Sequence, residues 1–172
     1  MKEKRTMADS EGKRHVFQEE IIKKYKKTLI AIKVDYPGNN KDNYLTKNII
    51  GCVDNILTDI FKDKVYLKIF RITEEGPIIT ILLNLDSYEV KKTCIEIEDK
   101  HALGGIIDIE VYDLNGKIID RQSVGYEEKR CIICGESASK CKKLNSHSIS
   151  EILENMKHIY TEYIGKHFNE VY

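Results

Sequence analysis

The chain of 172 residues balances 28 Lys and Arg against 28 Asp and Glu, so it has no global positive field to draw in nucleic acid or an anionic membrane. Its apolar runs fall far short of the roughly 20 residues a membrane span needs, and Met1 to Arg14 lacks the apolar stretch of a signal peptide. A soluble cytoplasmic protein with one core is therefore expected, and the odd count of five cysteines argues against a disulfide framework.

Residues 1–12 are predicted to be disordered and residues 13–172 to form a single domain. From Lys13 to Lys27, Val16, Phe17, Ile21, Ile22 and Tyr25 recur at helical spacing, and Thr28 to Tyr36 then alternates as a strand. Pro37 to Asn43 is turn-rich. The clearest helical stripe runs from Tyr44 to Lys62 through Leu45, Ile49, Cys52, Val53, Ile56, Leu57 and Ile60. Val65 to Ile72 and Pro77 to Leu85 form a predicted hairpin around Glu74-Glu75-Gly76. Ser87 to His101 fits a helix better than a strand. Ile106 to Tyr112 is a β-branched strand, and Asn115-Gly116 predicts a type I′ turn returning the chain as Lys117 to Arg121. Ser148 and Glu151 make a capping box for a last helix. Interspersed helices and hairpins give an α+β single domain: a mixed or antiparallel sheet with flanking helices.

Three constellations carry possible chemistry. On a strand, Asp108 and Glu110 point to one face while Ile107, Ile109 and Val111 point to the other. Two such carboxylates suit Mg²⁺ shared with a phosphorylated substrate, the plainer alternative being a solvated face. Gly104-Gly105 just before them leaves room for a phosphate to approach the backbone. A second acidic pair, Glu96 and Glu98, shares a face only if its segment is a strand. The third is Cys131-x2-Cys134-x6-Cys141-x5-His147 in a Cys-rich loop over 130–147. It is a Cys₃His set able to hold Zn²⁺, or else reduced thiols packed in a small loop. Cys52 and Cys94 read as small core residues. Arg121, Lys129, Arg130, Lys140, Lys142 and Lys143 form a local basic cluster that suits a polyphosphate.

The ordered run Leu103-Gly104, Asp108-Ile109-Glu110-Val111, Arg121, Arg130-Cys131-x2-Cys134, Ala138, Cys141 and His147 resembles the signature of the apo-citrate lyase phosphoribosyl-dephospho-CoA transferases, also called holo-citrate lyase synthases. Glu96, Glu98, Lys91, Gly76-Pro77, Pro37-Gly38 and Lys41 fall in register with it. The resemblance implies a nucleotidyltransferase-like fold. It implies transfer of the prosthetic group from triphosphoribosyl-dephospho-CoA to a serine of the acyl carrier (gamma) subunit of citrate lyase, with loss of diphosphate. Asp108 and Glu110 would hold Mg²⁺, with Glu96 or Glu98 as third ligand or base. Lys91, Gly104, Gly105, Arg121 and Arg130 would meet the phosphates. Nucleic acid and membrane are not expected partners. The alternatives are the analogous malonate decarboxylase enzyme and a zinc-stabilised, non-catalytic carrier-binding module. This chain departs from the family at Gly105, where an arginine is usual, and at Glu110, where aspartate is usual.

Overall fold

Asn43 starts the chain's strongest helix: its side chain accepts the Thr46 N–H at 3.0 Å while Thr46 Oγ1 accepts the Asn43 N–H at 3.2 Å, so two otherwise unpaired donors are satisfied. In the computed structural model, which describes residues 7–169, that helix is the second of five among the described residues. The helices are α1 (Met7–Tyr25), α2 (Tyr44–Phe61), α3 (Ser87–Lys100), α4 (Ala138–Leu144) and α5 (Ile149–Asn169), and the strands are β1 (Thr28–Val34), β2 (Val65–Thr73), β3 (Gly76–Leu83) and β4 (Ile107–Tyr112). The disorder expected over 1–12 lies outside the described residues for 1–6, and α1 already runs through 7–12. Asp86 caps α3, accepting the N–H groups of Tyr88 and Glu89, and Ser148 and Glu151 cap α5 as a capping box. Among the described residues no helix is long and apolar enough to cross a membrane.

The strands pair in the order β2-β3-β1-β4 and every pairing is antiparallel. Because β1 and β3 are central and covered on both sides, they carry near-continuous apolar residues; β3 is buried along its whole length. One face of the sheet, through Ile30, Ile32, Ile79, Ile81, Ile109 and Val111, packs on α2, α3 and α5. The opposite face, through Leu29, Ala31, Leu82 and Tyr112, packs on Ile21 and Ile22 of α1. This strand parity decides the site: the register sets Lys33 beside Asp108 and Ala31 beside Glu110, so both carboxylates look toward α1.

One expected element differs. After β4 the backbone of Asp113 pairs with that of Lys117, with Gly116 at φ +85° and Asn115 outside the left-handed region, so the turn is not type I′. Asp113 Oδ1 accepts the N–H groups of Asn115 and Lys117 at 2.8 and 2.9 Å, a local bond that outcompetes the tight turn. The predicted returning strand over Lys117 to Arg121 reduces to one bridge, Tyr112 to Ile118.

Candidate functional site

Charge alternates along the α1 side of the sheet. Arg14 of α1 pairs with Glu110, and its Nε donates to Glu75 Oε1 at 3.0 Å. Lys33 Nζ lies 3.3 Å from Glu75 Oε2 and 3.7 Å from Asp108 Oδ2. The Tyr112 hydroxyl donates to Glu110 Oε2 at 2.7 Å and meets His15 Nδ1 at 3.0 Å. With Arg14 only 2% and Glu75 5% exposed, the centre of the series is buried, and each ion has a counter-ion. Burial pushes the Glu110 carboxyl up, but the Tyr112 hydroxyl and Arg14 outweigh it and hold the group below the usual carboxylate range. Asp108 goes the other way: crowding by the protein raises it, against the pull of Lys33.

A different set of side chains completes the outer edge of β4. Glu98 of α3 accepts the Ile109 N–H at 3.1 Å, Lys91 donates to the Ile109 carbonyl at 3.3 Å, and Lys129 donates to the Ile107 carbonyl. Ladder groups that a fifth strand would take are thus satisfied by side chains, which also closes the edge to further strand pairing. Arg121 donates to Glu98 Oε2 at 2.9 Å and to Asp99 Oδ1 at 2.8 Å. Glu96, on the helix beside Glu98, points instead to solvent, to Lys100 and the Tyr126 hydroxyl. Arg130 is exposed and pairs with Glu127. Gly104 and Gly105 are packing positions. A Cβ on Gly104 would sit 2.2 Å from the Ile97 carbonyl oxygen, and one on Gly105 would sit 2.6 Å from Ile132 Cγ2, so the cysteine loop packs directly on Gly105.

Asp35, just past β1, opens a cleft. Lys142 Nζ lies 2.6 Å from its carboxylate, and although burial opposes ionisation, Lys142, Lys129 and Lys33 hold it below the usual range. A hollow of about 440 Å³ brings Asp35, Asp108, Lys129 and Lys142 together. It adjoins one of about 530 Å³ that adds Lys41, Tyr36, Ile132 and Ile133. Burial, then Lys33, push the Lys41 ammonium down. Sequence reading singled out Asp108 and the basic loop but passed over Arg14, Lys33, Asp35 and Glu75. The alternation of Lys33 and Asp35 on the Asp108 face is the signal that would have found two of them.

The cysteine module is built as a knuckle. The Cys131 N–H donates to the Glu136 carbonyl at 2.7 Å, the Gly135 N–H donates to the Cys131 carbonyl at 2.9 Å, and Gly135 takes φ +75°. The short helix α4 then returns Cys141. The thiols of Cys131, Cys134 and Cys141 and a ring nitrogen of His147 all lie within 4.8 Å of one another, with Cys134 and Cys141 sulfurs 3.5 Å apart. Tetrahedral zinc, with Zn–S near 2.3 Å, holds sulfurs about 3.8 Å apart. His147 Nε2 is buried without a hydrogen-bond partner among the described residues. Burial resists ionisation of Cys131, but the backbone N–H groups of Cys134 and Ile133 bring its thiol to about 7. The set therefore fits a metal ion, zinc included. Cys94 is a core residue, its thiol pushed up to about 12 by burial, and Cys52 is half-buried.

A family model described as apo-citrate lyase phosphoribosyl-dephospho-CoA transferase matches residues 4–163. A protein of that name from Citrobacter koseri is 26% identical over 163 residues, covering 93% of this chain and 89% of the relative. A "probable" transferase of the same name from Vibrio cholerae serotype O1 is 26% identical over 151 residues, covering 84% and 85%. The protein CitXG of Haemophilus influenzae is 26% identical over 93% of this chain, which spans only 36% of that relative.

Proposed function

The chain belongs to the apo-citrate lyase phosphoribosyl-dephospho-CoA transferase family, and from that premise we propose that it moves the phosphoribosyl-dephospho-CoA group of a triphosphoribosyl donor onto a serine of the citrate lyase acyl carrier subunit. The observation that carries this reading is the pair of adjoining hollows in which Lys129 and Lys142 meet Asp35 and Asp108, with Lys41 lining one of them and Lys33 3.7 Å from Asp108. A serine Oγ attacks the phosphorus next to the ribose, the O–P bond forms, the bond to the β-phosphate oxygen breaks, and diphosphate leaves. Asp108 takes the serine proton, and its raised affinity for protons favours that role. The lysines neutralise the charge that builds at the reacting phosphorus. As arranged, Asp108 and Glu110 do not fit Mg²⁺ as a pair, because Arg14 and Tyr112 occupy Glu110 and Lys33 faces Asp108. Lys91 and Glu98 hold β4 and α3 together, while Arg121, paired with Glu98 and Asp99, also lines the cleft beside Asp35 and Asp108. Cys131, Cys134, Cys141 and His147 would hold a structural zinc that fixes the loop carrying Lys129 and Lys142. The free thiols suit the reducing cytoplasm.

Intact-mass measurement of apo-carrier incubated with donor and enzyme tests this. The citrate lyase carrier should gain one prosthetic group per serine and the malonate decarboxylase carrier should gain it more slowly. Asp108→Asn should transfer at least about 100-fold more slowly, the usual contribution of a positioned base. A wild-type enzyme that leaves the citrate lyase carrier unmodified, with no diphosphate released, refutes the assignment.

A further inference from the structure

A second hollow, of about 630 Å³, lies between α1, the β2–β3 hairpin and the loop through Lys41. Arg14, Arg71, Lys13 and Lys41 line it. Among the described residues, Arg71 Nε and Nη2 are buried yet have no hydrogen-bond partner, and the same holds for Nη2 of Arg14, whose side chain is 2% exposed. Glu11 Oε1 lies 3.7 Å from Arg14 Nη2, beyond hydrogen-bond reach. Buried guanidinium donors are seldom left unpaired, since each forfeits its water without replacement. The Phe17 ring lies 3.4 Å beneath the Arg71 guanidinium and holds the planar fork in place.

The carboxylates nearby are largely committed. Glu75 is taken by Arg14 and Lys33, and Asp42, on the lining, pairs with Lys47 at 2.8 Å. Glu74 sits at the exposed rim. Gly76 keeps the loop close: at φ +88° it brings the hairpin so near that a Cβ there would stand 2.6 Å from the Lys41 carbonyl oxygen. Lys41 also lines the Asp35 cleft, so the two hollows share one cation at their junction.

We propose that this hollow is a polyphosphate subsite in which the forked donors of Arg71 and Arg14 and the ammonium groups of Lys13 and Lys41 hold the phosphate end of the donor and then the departing diphosphate. The proposal deepens the transferase reading and rests on it for the identity of the polyphosphate. A planar guanidinium binds two phosphate oxygens at once, which explains why the vacant donors belong to arginines. The lysine cluster at Asp35 and Asp108 is left to the reacting phosphorus.

Titration calorimetry with inorganic diphosphate tests it directly. Arg71→Gln should weaken diphosphate binding at least tenfold, and Arg71→Lys should recover only part of the loss, with thermal melts of both matching wild type. Should Arg71→Gln fail to fold, Lys13→Gln, on the exposed side of α1, carries the test with an expected loss of about threefold from one phosphate contact. Equal affinity in wild type and the folded variant, or no diphosphate binding by wild type, overturns the subsite. If wild type still modifies the carrier in that case, the transferase reading stands alone. Arg71-dependent binding without transfer to any carrier supports the subsite and removes the transferase reading.

Discussion

The cysteine module and the acidic strand look alike as sequence, each a short spacing of metal-ligating residue types, but the fold treats them in opposite ways. Around Cys131, Cys134, Cys141 and His147 the ligand atoms gather within 4.8 Å and the buried ring nitrogen has no partner among the described residues. Around Asp108 and Glu110 the protein has supplied the counter-charges itself, from Arg14, Lys33 and the Tyr112 hydroxyl. A ligand motif becomes a metal site only where its lone pairs are uncommitted, and that depends on residues far away in the chain.

The largest expected effect tests the uncommitted side of that contrast. Protein purified without chelator should contain about one zinc per chain, by the four-ligand rule. Because structural zinc supplies on the order of 10 kcal/mol in small metal-dependent folds, stripping it or replacing Cys134 by Ser should expose the amides of 130–147 to hydrogen exchange. It should also lower Tm by more than about 15 °C, at roughly 2–4 °C per kcal/mol for a domain of this size. Metal-free protein with an unchanged melt and protected loop amides would show that the thiols pack without an ion.

Local periodicity made most of the framework readable in advance. The stripe of α2, the parity of β4 and the capping box of α5 are signals within a few residues, and each element appears where those signals put it. The character of Glu110 was not readable, because its partner Arg14 lies 96 positions away and only the antiparallel register of β1 with β4, roofed by α1, brings them together. Glu98 illustrates the same limit: its helix was expected, but its bond to the Ile109 N–H requires α3 to run along an edge strand. Asn115-Gly116 misled for a local reason, since a generic turn dipeptide lost to the specific side-chain acceptor of Asp113.

The committed side of the contrast predicts the next largest effect. Arg14→Met keeps the volume of the side chain but leaves Glu75 and Glu110 short of their counter-ion. Breaking a buried pair from one side costs about 3–5 kcal/mol, so Tm should fall on the order of 10 °C. Adding Glu110→Gln to Arg14→Met should return part of the loss, since residues in one network do not add. Strictly additive melts would mean that the two groups do not share a network.

The smallest effect separates the two carboxylates of the strand by the sign of their pH dependence. The folded Glu110 carboxyl titrates below its ordinary 4.5 because Tyr112 and Arg14 overcome burial, so in the window just below that value the unfolded chain binds more protons. Its contribution is present above 4.5 and is lost as pH falls through the folded value. Asp108 titrates above its ordinary 3.8 because burial outweighs Lys33. Its contribution is present below 3.8 and is lost as pH rises through its folded value. Replacing Glu110 by Gln should therefore flatten the acid side of the Tm-against-pH curve while lowering its neutral plateau. Replacing Asp108 by Asn should raise the neutral plateau, by only about a degree or two, because the Asp108 side chain is 41% exposed and solvent screens it. Calorimetric melts between about pH 3 and 7 measure both. If the Asp108→Asn curve drops parallel to that of Glu110→Gln, Asp108 is a structural anion like its neighbour, and the base of the proposed reaction must be sought elsewhere, first at Asp35 across the cleft.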